Sequence, residues 1–263
     1  METMVNKSTP VVCFVANFKY LYKHFPRIYQ QLRVNGNYEN QILIITTLLS
    51  PTFLIKYINK KNKIKILRFK KIKFDSLTET SLNNLNVSVN RHKTKNFQWH
   101  KLYLFHPKLK KYPYIFYMDI NMNIHHDINA LLKELPANKL LARADGYPTY
   151  QWKLKSQFDT LHPGFGTLAE DLDLEITDYF QTGILYYDTQ IVEANTLEEI
   201  MSLVKKYPFS KTNEQGILNL YFIFINKMYT ELVEVIEDKI SYFYWKLSDK
   251  EVIITKALTT QNK

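Results

Sequence analysis

Apolar residues in this 263-residue chain fall into short dense runs, separated by stretches where they recur every three or four positions. "VVCFVA" (Val11 to Ala16) is dense enough for a strand buried on both faces. Tyr22, Phe25, Tyr29 and Leu32 then recur at helical spacing, and Gly36 follows as a stop. "QILIIT" reads as a second strand, "PTFLIKYINKK" as a helix opened by Pro51, and "IKILRF" as a third strand. "YIFYM" has the character of a central strand. After it, Asp127 is placed to cap a helix carrying Ile128, Leu131, Leu132 and Leu135, which Pro136 ends. "LLARA" and "GILYYD" are further strands. Thr196 with Glu199 has the spacing of a capping box for a helix bearing Leu197, Ile200, Leu203 and Val204. Strand–helix alternation of this kind predicts an α/β domain with a mainly parallel central sheet and flanking helices. No repeat or low-complexity linker divides the chain. It is therefore expected to be a single domain over residues 1–263, with a nucleotide-binding half (10–128) and a second half (129–263).

Composition narrows the class. Lys and Arg outnumber Asp and Glu by 35 to 25, giving a net charge of +10. An excess of this size suits nucleic acid, an anionic surface or a phosphorylated ligand. Much of it lies in "KYINKKNKIKILRFKKIKF" (Lys56 to Phe74), with no zinc-ligand spacing or RNA-reading aromatic box beside it. The single cysteine, Cys13, cannot form an intramolecular disulfide and is expected to be a small buried apolar residue in a reducing, cytoplasmic compartment. The N-terminal "METMVNKSTP" does not read as a signal peptide. The longest apolar stretch, "ILIITTLLSPTFLI", has 14 residues and contains Pro51, whereas a membrane span needs about 20. No membrane partner is expected.

The polar residues that follow the central strand carry the chemistry. In "YMDINMNIHHDI", Asp119 and Asn121 come just past the apolar run. Ligands of open α/β sheets bind beyond the carboxyl ends of the strands. If the segment stays extended, side chains at i and i+2 point the same way. They could then hold one hard cation, Mg²⁺ or Mn²⁺.

This stretch resembles the D-x-D region of nucleotide-sugar glycosyltransferases with the GT-A fold, most closely the glycogenin-like members of glycosyltransferase family 8. Five segments carry the likeness, in order: "NFKY" (Asn17 to Tyr20), "KLYLF" from Lys101, "YMDIN", "DYFQTGILYYD" and "NEQGILN". The resemblance implies a Rossmann-like GT-A fold and transfer of a hexose, glucose first, from a UDP-sugar to a hydroxyl, with retention of configuration. It implies that Tyr20, beside Asn17, stacks on the uracil. Lys101 reaches the donor phosphates; apart from the resemblance, the basic residues Arg91, Lys93 and Lys95 just upstream could line them too. Asp119 and Asn121 hold the metal and donor. Asp145, Gln181, Thr182, Gly183, Glu214 and Gly216 line the sugar pocket, the two glycines allowing close approach of backbone to ligand. Asp178 and Gln215 are the catalytic pair. A homodimer and self-glucosylation at Tyr242 or Tyr244, in "ISYFYW", are implied in the same way.

The pattern departs from the family at the metal. The second Asp of D-x-D is Asn121, and no histidine follows His162, so the C-terminal histidine ligand is missing. His125 and His126 lie near Asp119 in sequence, at the start of the expected helix. Mn²⁺ or Mg²⁺ is therefore expected not to be obligatory. Gln181 also replaces an asparagine. Three other readings stay open: a non-catalytic or hydrolytic UDP-sugar-binding protein, a basic nucleic-acid-binding protein, and a nucleotidyltransferase, against which the lack of a Gly-rich phosphate loop counts.

Overall fold

The computed structural model describes residues 10–85, 97–132, 136–232 and 252–256. Nine strands form two sheets among these residues: β1 (Val11–Val15), β2 (Ile42–Thr47), β3 (Ile64–Phe69), β4 (Tyr114–Met118), β5 (Met122–Ile124), β6 (Leu140–Ala142), β7 (Ile184–Asp188), β8 (Tyr229–Glu231) and β9 (Ile254–Lys256). The main sheet has the order β3-β2-β1-β4-β7-β6-β8, and β5 and β9 form a separate antiparallel pair.

β1, β2, β3 and β4 run parallel. β7 is antiparallel to both β4 and β6, while β8 follows β6 in parallel. β7 alone is reversed. The carboxyl ends of the other strands and the start of β7 therefore meet at one edge of the sheet, which is where the candidate site lies.

Each strand divides its side chains between two cores because its side-chain period is two. Val11, Cys13, Leu43, Tyr117, Leu185 and Tyr187 enter one core. Val12, Phe14, Ile44, Phe116, Met118 and Tyr186 enter the other. The second core is covered by α1 (Phe18–Val34), which buries Leu21, Phe25, Ile28 and Leu32. The expected helix is present, but its inward stripe includes Leu21 and Ile28, and Tyr22 faces solvent. The first core is closed by α4 (Thr196–Lys206) and α5 (Glu214–Asn219), with α2 (Ser76–Asn83) and α3 (Phe165–Asp171) as short additions. Cys13 is buried there, and loss of hydration pushes its thiol pKa up.

Three local expectations are corrected. "PTFLIKYINKK" forms two single 3₁₀ turns, Thr52–Leu54 and Lys60–Asn62, in place of a helix. Pro51 can open a helix, but Ser50, Thr52 and Ile55 are buried while Phe53 and Leu54 are exposed, so no continuous helical face turns inward. Asp127 does cap a turn, accepting from Asn129 N at 2.8 Å, but that turn is the 3₁₀ segment Ile128–Ala130. At α4, the Thr196 hydroxyl accepts from Glu193 N at 2.8 Å, and Glu199 is bonded by Asn195 Nδ2, so no capping box closes.

Among the described residues, no helix is long and apolar enough to cross a membrane.

Candidate active site

Asp119 leaves β4 at the sheet edge. Its amide donates to Gly183 O at 2.8 Å, which stitches the end of β4 to the start of β7 and puts Thr182 beside it. Asp119 does not continue an extended segment. Met122 N donates to Asp119 O at 3.1 Å, closing a turn over Asp119–Met122. The expectation that Asp119 and Asn121 project side by side from an extended chain is thus overturned by the turn.

Lys101 is the centre of the cluster. It sits on a 3₁₀ segment, Trp99–Phe105. Its Nζ lies 3.1 Å from Asp119 Oδ1, 3.1 Å from Glu214 Oε1 and 3.3 Å from Thr182 O. Burial pulls the ammonium pKa down, but Asp119 and Glu214 more than offset it, and the net shift is upward. Burial likewise opposes ionisation of Asp119, yet Lys101 and then Lys256 hold its carboxyl below the usual range. Tyr117 donates its hydroxyl to Asp119 Oδ1 at 2.6 Å, and burial keeps that phenol protonated well past its ordinary range.

Glu214 and Gln215 open α5. Asn213, just before them, has φ 56°, a conformation costly for a residue with a Cβ. Glu214 Oε1 accepts from Thr182 Oγ1 at 3.1 Å, while its buried Oε2 has no partner. Gln215 Oε1 accepts from Thr182 N at 3.1 Å, and its Nε2 donates to Gln157 Oε1 at 2.9 Å. One turn on, Asn219 is buried and clamps the neighbouring segment: Oδ1 accepts from Phe180 N and Nδ2 donates to Phe180 O. Gly216 is closely packed on its Cα side. A Cβ there would lie 2.5 Å from Ser210 Oγ and 3.2 Å from Phe158 Cζ, so its smallness serves the packing of α5.

Asp145 lies past β6 on the same edge. It accepts from Gln181 Nε2 and from the Tyr179 hydroxyl, and its amide donates to Tyr179 O at 2.8 Å. Asp178 is half-buried and paired with Lys153 at 2.7 Å. Asn17 caps α1, its Oδ1 accepting from Tyr20 N at 2.9 Å. Tyr20 is 37% exposed on the first turn of α1, at the carboxyl end of β1, with its ring against His24. Arg91, Tyr242 and Tyr244, and with them Lys93 and Lys95, lie outside the described residues.

A hard divalent cation is a poor match for these donors. Asp119 Oδ1 already has an ammonium 3.1 Å away and a phenol donating to it. Asn121 supplies no charge. His125 Nε2 is bonded to Thr255 Oγ1 at 2.7 Å, and no three His, Cys, Asp or Glu side chains gather as a metal site among the described residues.

Sequence reasoning missed Tyr117, Gln157, Lys153 and Lys256. Tyr117 had a signal, since it stands only two residues before Asp119. The others reach the edge only through tertiary contacts.

No protein-family model matches the sequence, and no curated protein matches it. Solved structures do. The galactosyltransferase LgtC, in complex with donor and acceptor sugar analogs, superposes with a TM-score of 0.59 at 12% identity, over 95% of this chain and 87% of LgtC. GlyE of Streptococcus pneumoniae TIGR4 gives a TM-score of 0.56 at 13% identity, over 96% of this chain and 55% of GlyE. The mannosyltransferase Ktr4p from S. cerevisiae gives 0.52 at 13% identity, over 89% of this chain and 71% of Ktr4p. At such identities the likeness is one of architecture, and on it the mixed seven-stranded sheet with its flanking helices is the GT-A glycosyltransferase fold.

Proposed function

We propose that this chain is a glycosyltransferase that moves a hexose from a nucleotide-sugar donor to a hydroxyl acceptor. The observation that carries the reading is the convergence of Lys101, Asp119, Thr182, Glu214 and Gln215 at the carboxyl edge of the sheet. In LgtC, an active-site mutant changes a glutamine to glutamate. Gln215 is the glutamine of this chain that faces the cluster. UDP is the nucleotide we favour, because Tyr20 offers an aromatic face at the same edge, while glucose as the sugar rests on the sequence resemblance. Retention of configuration, a glycogenin-like acceptor tyrosine and a homodimer rest on the sequence resemblance alone.

Sugar transfer builds negative charge on the departing diphosphate and positive character at the anomeric carbon. Lys101 supplies fixed positive charge for the first. Asp119, paired with Lys101 and Tyr117, is placed to accept from donor hydroxyls. The unpartnered Oε2 of Glu214 offers a further acceptor once a donor opens the pocket. Gln215 has its amide held at both ends, so its carbonyl is fixed near Thr182. Asp145, Gln181 and Asp178 form the outer wall. Catalysis in this reading does not hang on Mn²⁺ or Mg²⁺.

The test is release of free UDP from a set of nucleotide sugars, each with excess EDTA and with excess Mn²⁺. Release from UDP-glucose in EDTA supports both parts of the reading. A second reading, a non-catalytic UDP-sugar binder, is favoured by one observation: the Lys101 ammonium is already neutralised by two carboxylates. UDP binding without UDP release from any sugar would select it.

A further inference from the structure

The loop after β2 inverts the usual partition of side chains. Ser50 and Thr52 are buried, at 6% and 2% exposure, as is Ile55 at 3%. Leu48, Leu49, Phe53 and Leu54 are turned outward, at 47%, 94%, 81% and 58%. These residues lie between the middle and the end of the longest apolar run in the chain.

The loop is firmly held. Leu48 N donates to Phe69 O at 3.1 Å, and Arg68 Nη2 donates to Thr52 Oγ1 at 2.6 Å. Two successive turns follow, with Leu54 N bonded to Pro51 O and Ile55 N to Thr52 O, both at 3.1 Å. Polar anchors inside and four large apolar side chains outside do not serve folding, since exposed clusters of this kind mark interaction sites.

The charge around the loop says what kind of partner fits. Lys56, just after it, and Lys70, Lys71 and Lys73, just after β3, are all exposed. No acidic residue occurs anywhere from Gln41 to Phe74. Apolar side chains at the tip with lysines behind them match the layering of an anionic bilayer, acyl chains beneath charged headgroups. The loop leaves the carboxyl end of β2 and is bonded to the carboxyl end of β3, on the edge that also bears Asp119. Docking there would bring the candidate site close to the lipid surface without any spanning helix.

We propose that this loop is a membrane-docking surface, inserting Leu48, Leu49, Phe53 and Leu54 among the lipids of an anionic bilayer while the lysines hold its headgroups. The inference stands apart from the chemistry proposed for the site.

Co-sedimentation with large unilamellar vesicles tests it, comparing pure phosphatidylcholine with phosphatidylcholine containing phosphatidylglycerol. The wild-type chain should bind the anionic vesicles, weaken as salt rises, and scarcely bind the neutral ones. Leu49→Ser/Phe53→Ser should lower the anionic partition coefficient on the order of tenfold or more, from lost apolar insertion. It should leave the thermal midpoint unchanged, because both side chains are exposed. Lys70→Glu/Lys71→Glu should weaken binding and flatten its salt dependence. Absence of wild-type binding would overturn the proposal, as would equal binding by the apolar variant. So would gel filtration in which the wild type self-associates and the apolar variant does not, since the surface would then join two copies of this chain.

Discussion

Replacing Lys101 by methionine keeps most of the side chain's length and removes its charge together with its bonds to Thr182. Asp119 Oδ1 and Glu214 Oε1 each lie 3.1 Å from Lys101 Nζ, so they are at most about 6 Å apart. With an effective dielectric of about 20, two like charges at ~6 Å repel by ~3 kcal/mol. Removing one partner of a buried pair leads to a similar figure, about 3–5 kcal/mol. The lower end applies, since Asp119 keeps 24% of its side chain exposed and Glu214 only 4%. The sign with pH follows. In the wild type the Asp119 pKa is lowered, so its contribution to stability is present above the ordinary carboxylate range and lost as pH falls through that lowered value. In the variant the repulsion between the two carboxylates favours uptake of a proton by the pair. The stability deficit should thus be full near pH 8 and shrink as the solution is made acidic. Urea unfolding at pH 8 and pH 5.5 measures it. Adding Glu214→Gln to Lys101→Met should recover most of the loss at pH 8. A deficit below about 1 kcal/mol at pH 8, or one that does not change with pH, would refute the argument that Lys101 neutralises both carboxylates.

Four further outcomes are expected. Lys101→Ala should depress UDP release more than EDTA does, and restoration of an EDTA-abolished activity by Mn²⁺ would show that Asn121 and Asp119 hold a metal after all. Gln215→Ala and Asp178→Asn should each slow transfer on the order of 10²-fold while UDP still binds. Asp178→Asn should also leave stability within about 1 kcal/mol, because water still reaches much of its pair with Lys153. UDP-glucose should raise the melting temperature where GDP-mannose does not, and Tyr20→Ala should erase the difference. Burial holds His100 neutral with its pKa pushed down to about 4, so its contribution is whole above about 6.5 and lost as pH falls toward 4. His100→Gln should flatten the acid limb of the stability profile by up to ~3 kcal/mol, as followed by urea midpoints.

What the sequence revealed follows from what forces leave in it. The strands β1, β2, β4 and β7 could be read because both of their faces are buried, which demands dense apolar runs. The direction of β7 could not be read, since a strand's side-chain pattern is the same in either direction. The loop around Phe53 misled the reading toward a helix because apolar spacing does not say whether a side chain faces protein or solvent. At the site, Lys101, Asp119, Gln215 and Glu214 stood out by their motifs. Gln157 and Lys153 did not, because their roles come from contacts with Gln215 and Asp178 that local spacing does not encode. The packing reason for Gly216 was not legible either: its neighbour is Ser210, brought close only by the packing of α5.

The place of β1 in the middle of the sheet bears on how the chain is made. One edge of β1 is covered soon after synthesis by β2, whose partners begin at Ile42. The other edge waits for β4, where Val11 meets Ile115 and Cys13 meets Tyr117. At about 5–20 residues per second, a gap of roughly 100 residues leaves that edge open on the ribosome for ~5–20 s. β4 in turn waits for β7, where Met118 meets Ile184. During translation the nascent chain therefore offers unpaired, apolar strand edges to its surroundings. Its yield in a cell will depend on chaperones that shield them, and variants that are sound once folded can still be lost to aggregation before their last strands emerge.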